Sequence, residues 1–367
     1  MPVARRWAYF DHAAVGPLSE PARAVMAAWA LDMTENGDTN WPEWAARLDT
    51  IRGYGAQLIG ADPAEIAFVR NTTEGINLVA EGFPWQSGDN VITLADEFPS
   101  NQYPWLNLGS RGVECRRVVP QNGRVELADI AKACDARTRM ISISWVNYAY
   151  GWRNDLDALA ELAHARGALL FVDAIQGLGM FPLDVGRTPV DFLAADSHKW
   201  LLGPEGAGLL YVRRKHLDLL RPLAVGWNSV KHANDFQRIE LIVKETAARY
   251  EGGSYNMAGI HAMGASLELL LHYTREEIGA RLLATTDEAC RRLTAAGATV
   301  HSHRDAGHGS GIVAFDLSGK DSMAVRKHLL ARNVATGCRA GKVRISPHAY
   351  TNDEDIERLI AAVEEAR

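Results

Sequence analysis

An α/β fold is predicted by three features of this sequence. Short apolar runs recur at residues 66–69, 91–94, 140–144, 169–172, 191–195 and 208–212. They are too brief for helices and read as strands buried on both faces of a mostly parallel sheet. Helix-length segments lie between most of them, so strands and helices alternate. The runs also stop at polar or glycine-rich turns, and open α/β sheets bind ligands just past the carboxyl ends of such strands. At 367 residues the chain can divide into two domains. The pattern predicts a large domain over 15–258 and a smaller α/β domain over 259–367, joined by the N-terminal segment 1–14.

Composition excludes several function classes. A net charge of −6 supplies no basic surface for nucleic acid or an anionic membrane. Cys115, Cys134, Cys290 and Cys338 are widely spaced with no C-x-x-C, so neither a zinc site nor a disulfide framework is expected. No apolar run approaches membrane-spanning length, and MPVARRWAYFDHAA has no signal-peptide core. A cytoplasmic, soluble protein is expected. His301, His303 and His308 crowd one stretch, but the intervening Gly, Asp and Ser describe a solvated loop, and no metal site is expected there.

Taken in order, Tyr9 to Ala14 is a short extended piece closed by the Gly16-Pro17 turn, and Ser19 caps a helix over 20–33. Residues 35–44 form a polar loop whose Trp41 and Trp44 should pack at a cleft or a subunit contact. A helix over 45–59 ends at Gly60. The strand 66–69 leads to Thr72 or Thr73 as N-cap of a helix over 74–81. Free N–H groups and hydroxyls at that helix start would make an anion site. Strand 91–94 ends at Asp96-Glu97-Phe98. Strands 112–119 and 140–144 follow, the second running into Asn147 and Tyr148. Asp155 caps a helix to Arg166, completing the βαβ unit that delivers the strand ending at Asp173. A helix is predicted after Val212, another over 259–273, and strands over 313–317 and 343–346.

The chemistry concentrates between Leu169 and Val212. Asp173 and Gln176 stand just past one strand, and Asp196-Ser197-His198-Lys199-Trp200 past the next. Lys199 has apolar neighbours in Trp200, Leu201 and Leu202. A partly desolvated amine loses its proton readily, and the neutral amine forms Schiff bases. A carboxylate at a buried strand end, such as Asp173, can keep a pyridinium nitrogen protonated. Lysine and aspartate together are the pair that pyridoxal 5′-phosphate requires.

Asp173-x-x-Gln176 followed by Ser197-His198-Lys199-Trp200-Leu-Leu-Gly-Pro resembles the cofactor site of class V aminotransferases, a family of fold-type I pyridoxal phosphate enzymes that includes cysteine desulfurases and isopenicillin N epimerase. The resemblance runs along nearly the whole chain. It implies that Lys199 is the catalytic lysine that holds the cofactor, that Asp173 partners the pyridine nitrogen, and that Gln176 bonds the phenolic oxygen. Thr72, Thr73, Ser197 and His198 would bind the cofactor around its phosphate. Phe98 stands where desulfurases carry a ring-stacking histidine, and can stack without ionising. Asn147 and Tyr148 fall where the family touches ring or substrate.

Arg249 to Asn256 resembles the family's F-E-x-G-T-x-N segment. Ser254 would reach the phosphate of a neighbouring subunit, which implies an obligate homodimer. Gly341 to His348 resembles the R-x-S segment, which makes Arg344 the anchor of a substrate α-carboxylate. The implied substrate is a small α-amino acid, with transamination as the leading reaction. Epimerisation and cysteine desulfuration or C–S cleavage are alternatives, and a non-catalytic binding protein of the same fold is a further one. Cys338 lies two positions too early, on a shorter loop than persulfide-forming enzymes carry.

Overall fold

Caps and turn residues set the element boundaries in the computed structural model, which describes residues 1–121 and 123–367. The chain runs through β1 (Ala8–Tyr9), α1 (Glu20–Asn36), α2 (Trp41–Ile59), β2 (Ile66–Val69), α3 (Thr72–Gly82), β3 (Asn90–Leu94) and α4 (Tyr103–Asn107). It continues through β4 (Glu114–Val118), α5 (Leu127–Ala133), β5 (Thr138–Ser144), α6 (Leu156–Ala165), β6 (Leu169–Asp173), β7 (Phe192–Asp196) and β8 (Gly208–Val212). After a long irregular stretch come α7 (Met257–Leu271), α8 (Arg275–Ala295), β9 (Ala298–Val300) and β10 (Val313–Leu317). The chain closes with α9 (Ser322–Ala331), β11 (Val334–Ala335), β12 (Gly337–Arg339), β13 (Lys342–Ile345) and α10 (Asp353–Glu365). Among the described residues no helix is long and apolar enough to cross a membrane.

Seven strands form the main sheet in the order β2-β8-β7-β6-β5-β3-β4. β8 runs antiparallel to both its neighbours, and the other pairings are parallel. The link between β7 and β8 contains no helix, and a parallel return would need a crossover. Alternation along the strands feeds two cores. Leu170, Val172, Leu193 and Ala195 face a cluster shared with α2, α6 and α7. Phe171, Phe192 and Ala194 face one shared with α3 and α4. Ser144 pairs with Asp173 in register. The carboxyl ends of β5, β6 and β7 therefore form one edge, and the β7–β8 link carrying Lys199 turns back from it.

A second sheet, β12-β13-β10-β9, is antiparallel and packs with α8, α9 and α10 around its own core. The N-terminal segment ties the two sheets together. β1 pairs in parallel with β11, and Asp11 bridges to Ser346. A few residues on, the Gly16 N–H donates to the His198 carbonyl at 2.6 Å. A side chain at Gly16 would place its Cβ 2.2 Å from the Lys199 carbonyl oxygen, so only glycine fits there.

Three expectations are corrected. α2 begins at Trp41 because Pro42 suits the first turn of a helix. Trp44 there stacks on His261 at 4.8 Å, while Trp41 stays exposed. The cap of α3 is Asn71, whose side chain accepts the Glu74 N–H at 2.9 Å, so Thr72 and Thr73 lie inside the first turn. After Val212 only a 3-10 turn forms (Arg214–His216). His216 is drawn to the buried Asp191 at 2.8 Å, and the Arg221 N–H to the Gly82 carbonyl, which ties the segment down. Elsewhere, α7 packs on α1 and α2, with Ser266 bonded to Ser19 at 2.9 Å. We propose the domain boundary after this helix rather than before it.

Candidate active site

At the carboxyl edge of the main sheet lies a cavity of about 480 Å³. Its walls come from the ends of β6 and β7 (Asp173, Gln176, Asp196), the β7–β8 link (His198, Lys199, Glu205) and the start of α3 (Asn71, Thr72, Thr73). Phe98, Ser100 and Tyr148, the N-terminal residues Ala13 to Val15, and the hairpin arginines Arg339 and Arg344 complete it.

Lys199 is buried, and among the described residues its Nζ has no hydrogen bond; it sits 5.6 Å from the centre of the Phe98 ring. Burial pulls its pKa down to about 8, opposed by Asp173 and reinforced by Arg344. The turn that bears it is strained. Leu202 has φ 57°, a left-handed conformation that bulky residues avoid. That turn is held from outside, since the Leu202 carbonyl accepts from the Ser19 N–H at 3.2 Å and the Ser266 hydroxyl at 2.8 Å.

Asp173 is buried at the end of β6 and accepts the Ile175 N–H at 3.1 Å. Burial raises its pKa to about 6 against the pull of that bond and of Lys199. Behind it Glu97 accepts the Ser144 N–H at 2.7 Å and the Ser144 hydroxyl. Burial pushes Glu97 up to about 8, and Asp173 adds to the rise. Gln176 donates to the Ala13 carbonyl at 3.0 Å and accepts the Trp200 indole N–H at 2.7 Å. Its amide orientation is thereby fixed, with one N–H left for the cavity.

The start of α3 forms the opposite corner. Thr72 Oγ1 accepts the Asp196 N–H at 2.9 Å, which leaves its own proton free, and Thr73 Oγ1 donates to Ser100 Oγ at 2.8 Å. His198 Nδ1 lies 3.1 Å from Asp196 Oδ1 without a hydrogen bond, and the imidazole lines the cavity. Hydroxyls, an imidazole and a helix N-terminus together suit a phosphate.

Arg344 is the largest polar side chain buried here, only 1% exposed. Its Nη1 donates to the Tyr148 carbonyl at 2.7 Å and its Nη2 to Asp11 Oδ1 at 3.2 Å, while Nε has no partner. Burial lowers the pKa of Arg344 and raises that of Asp11, and each opposes the other's shift. β13 passes under Gly337, where a Cβ would crowd Asp11 at 2.8 Å and Arg344 at 3.4 Å. Cys338 pairs with Val343, and strand alternation turns both to the core face of the hairpin, away from Arg344.

Lys199, Asp173, Gln176, His198, Thr72, Thr73, Phe98, Tyr148 and Arg344 are thus brought to one cavity. Three expected residues are not. The Ser197 hydroxyl donates to the Pro204 carbonyl at 2.6 Å and braces the β7–β8 link. Asn147 spends its side chain on Asp96 at 3.0 Å and on the N–H groups of Ala149 and Tyr150. Ser254 is exposed on a separate cavity that shares Gly206 with this one. Sequence reading passed over Asp11, Ser100, Glu97 and Arg339. Asp11 and Glu97 lie in motifs already noted, but short polar residues at turns carry no pattern that marks them as buried partners.

A buried carboxyl with one backbone partner, an amine without a hydrogen bond and a hydroxyl-lined helix start fit pyridoxal 5′-phosphate. Comparison with known proteins agrees. The family model for class V aminotransferases matches residues 8–359. The chain is 29% identical over 387 residues to a probable cysteine desulfurase of Methanothermobacter thermautotrophicus, covering 100% of this chain and 96% of that protein. It is 28% identical over 345 residues to the uncharacterized aminotransferase YcbU of Bacillus subtilis, covering 94% and 90%. In fold it is similar to a solved cysteine desulfurase of Thermococcus onnurineus, with a TM-score of 0.91 and 24% identity over 100% of this chain and 96% of that one.

Proposed function

Since this chain belongs to the class V aminotransferase family, a family of pyridoxal 5′-phosphate enzymes, we propose that it is an aminotransferase acting on an α-amino acid. When bound, the cofactor supplies an electron sink that lets a bond at the substrate Cα break. Lys199 would hold it and move protons. Asp173 would partner its pyridine nitrogen, Gln176 its phenolic oxygen, and Thr72, Thr73 and His198 its phosphate. Phe98 would stack on its ring, and Arg344 would receive the substrate α-carboxylate through the N–H groups not used by Tyr148 and Asp11.

One observation carries the choice of reaction. Across the cavity Lys199 faces the ring of Phe98, a group with no proton to give. The amine of Lys199 is then the proton carrier on its own side, and the ring of Phe98 carries none on the other. That suits a proton shift between the two carbons that flank the amine nitrogen, whereas epimerisation needs a donor on each face. Desulfuration or C–S cleavage, which the name of the Methanothermobacter relative suggests, is the second reading; its persulfide route would need a thiol, and the nearest, Cys338, is on the other face of its strand.

The test is to incubate the loaded enzyme with single amino acids and measure the keto acid formed. Keto acid released one for one with cofactor converted to its amine form supports transamination. Sulfide release from cysteine as the main reaction would overturn it, whether or not Cys338→Ser abolishes the release. We further propose a homodimer in which Ser254 serves the partner's phosphate site. Mixed Ser254→Ala and Lys199→Ala subunits should then regain activity that neither parent has, and a monomer with full activity would refute this.

A further inference from the structure

We propose that Arg339 is a second anion anchor in the substrate end of the cavity, and that the enzyme's substrate is an α-amino acid whose short side chain ends in a carboxylate or another small oxyanion. This rests on the reading of Arg344 as the α-carboxylate anchor.

The two arginines line the same cavity but are not equivalent. Arg344 is already neutralised by Asp11 and steadied by the Tyr148 carbonyl. Arg339 donates only to the carbonyl of its own neighbour, Cys338, at 2.8 Å, and among the described residues it has no ion pair. The other acids on the wall are engaged or distant. Asp196 lies against His198, Asp173 is buried at the end of β6 with the Ile175 N–H as its partner, and Glu205 is exposed on the β7–β8 link. A half-buried guanidinium with most of its five N–H groups unused is the natural counterpart of an oxyanion carried in by a ligand.

The hairpin fixes where that oxyanion must be. Arg339 pairs with Lys342 across a two-residue turn, Ala340-Gly341, with φ of 48° and 72°. Positive φ at both positions marks the tight turn that matches strand twist and leaves little play. The Ser322 hydroxyl pins it further by donating to the Gly341 carbonyl at 2.8 Å. Gly337 pairs with Arg344, so Arg339, Lys342 and Arg344 share one face of the hairpin. The Lys342 ammonium is taken by Asp316, which leaves Arg339 as the cation on this face without a carboxylate. Diagonal neighbours on an antiparallel pair lie about 7–8 Å apart. The two arginines thus leave the hairpin as neighbours on one face and line one cavity, where a ligand with two oxyanions a few carbons apart can reach both.

The experiment titrates the loaded wild-type enzyme and Arg339→Gln with L-aspartate, L-glutamate and L-cysteine sulfinate, and with L-alanine and L-norvaline as neutral counterparts. Dissociation constants are read from the change in cofactor absorbance, and kcat/KM is measured beside them. Wild type should bind at least one acidic amino acid about 10- to 100-fold more tightly than the neutral ones, the effect of one charge-assisted contact. Arg339→Gln should lose that preference with neutral amino acids unchanged, and Arg339→Lys should keep part of it. Which acid wins tells carboxylate from sulfinate and sets the chain length. An equal loss for neutral and acidic ligands would mean that Arg339 shares the α-carboxylate, and a wild-type preference for neutral ligands would also overturn the proposal. Absence of a response to every amino acid, in protein that still binds the cofactor, would instead remove the reading beneath it.

Discussion

The two ends of the cavity are built in different ways. The cofactor end comes from adjacent strand ends and the link that follows them, with Asp173, Gln176, His198 and Lys199 inside one short stretch. Its groups are positioned by the parallel register of β5, β6 and β7. The substrate end draws Asp11, Tyr148, Arg339 and Arg344 from three distant parts of the chain. β1 pairing with β11, the Asp11 bridge, the β12–β13 hairpin and the Arg344 bond to the Tyr148 carbonyl bring them together. The first end is rigid by topology and the second by assembly. The chemistry should therefore be hard to perturb without abolishing it, while recognition should be tunable at small structural cost.

The largest effect tests the cofactor end. Lys199→Ala should lower turnover by about 10³-fold or more, because it removes both the covalent attachment and the proton carrier. The same substitution should stabilise the cofactor-free protein at neutral pH. Lys199 falls from 10.5 to about 8 on folding, so the unfolded chain holds the proton more tightly. The resulting penalty is present in full below pH 8, amounts to up to about 3 kcal/mol, and fades as pH rises toward 10.5. Thermal melts of both proteins between pH 7 and 10.5 should show the variant's advantage shrinking. A gap that widens with pH would mean that Lys199 is not a desolvated amine.

Arg344→Lys probes the substrate end with a smaller expected change. Lysine keeps charge but loses the planar fork, so KM for the amino acid should rise by about 10- to 100-fold with kcat nearly kept. Cofactor affinity should stay the same. Because Asp11 would lose its guanidinium partner, the melting temperature should drop as well. Unchanged KM would place the α-carboxylate elsewhere in the cavity.

The same contrast explains what could be read from sequence. Apolar runs and their turns predicted the strands of the main sheet, and Asp173 and Lys199 stood out because each follows such a run directly. Arg344 was recognisable only through its resemblance to a family segment. Nothing local predicts that an arginine in a strand is buried, since that depends on Asp11 arriving from the far end of the chain. Ser197 and Asn147 sit in the right motifs, yet their side chains close local turns, and sequence adjacency does not separate these uses. Arg339 went unnoticed because its importance arises from a hairpin register and from carboxylates that pair elsewhere.

The smallest effect asks whether the hairpin of the substrate end is held by its turn or by its packing. Ala340 occupies the left-handed region at φ 48°, next to Gly341 at 72°. An alanine there carries about 1–2 kcal/mol of steric strain. Glycine relieves it but gives the unfolded chain more freedom, which offsets about 0.4–1 kcal/mol. Ala340→Gly should therefore stabilise the protein by roughly 0.5–1 kcal/mol in chemical denaturation. KM should be unchanged, because the register Arg339↔Lys342 and the Ser322 hydrogen bond remain. Ala340→Val should go the other way, since a β-branched side chain fits positive φ worse. If Ala340→Gly instead destabilises and raises KM, the alanine side chain is part of what fixes Arg339. The substrate end would then be set by packing around the turn rather than by the turn's own geometry.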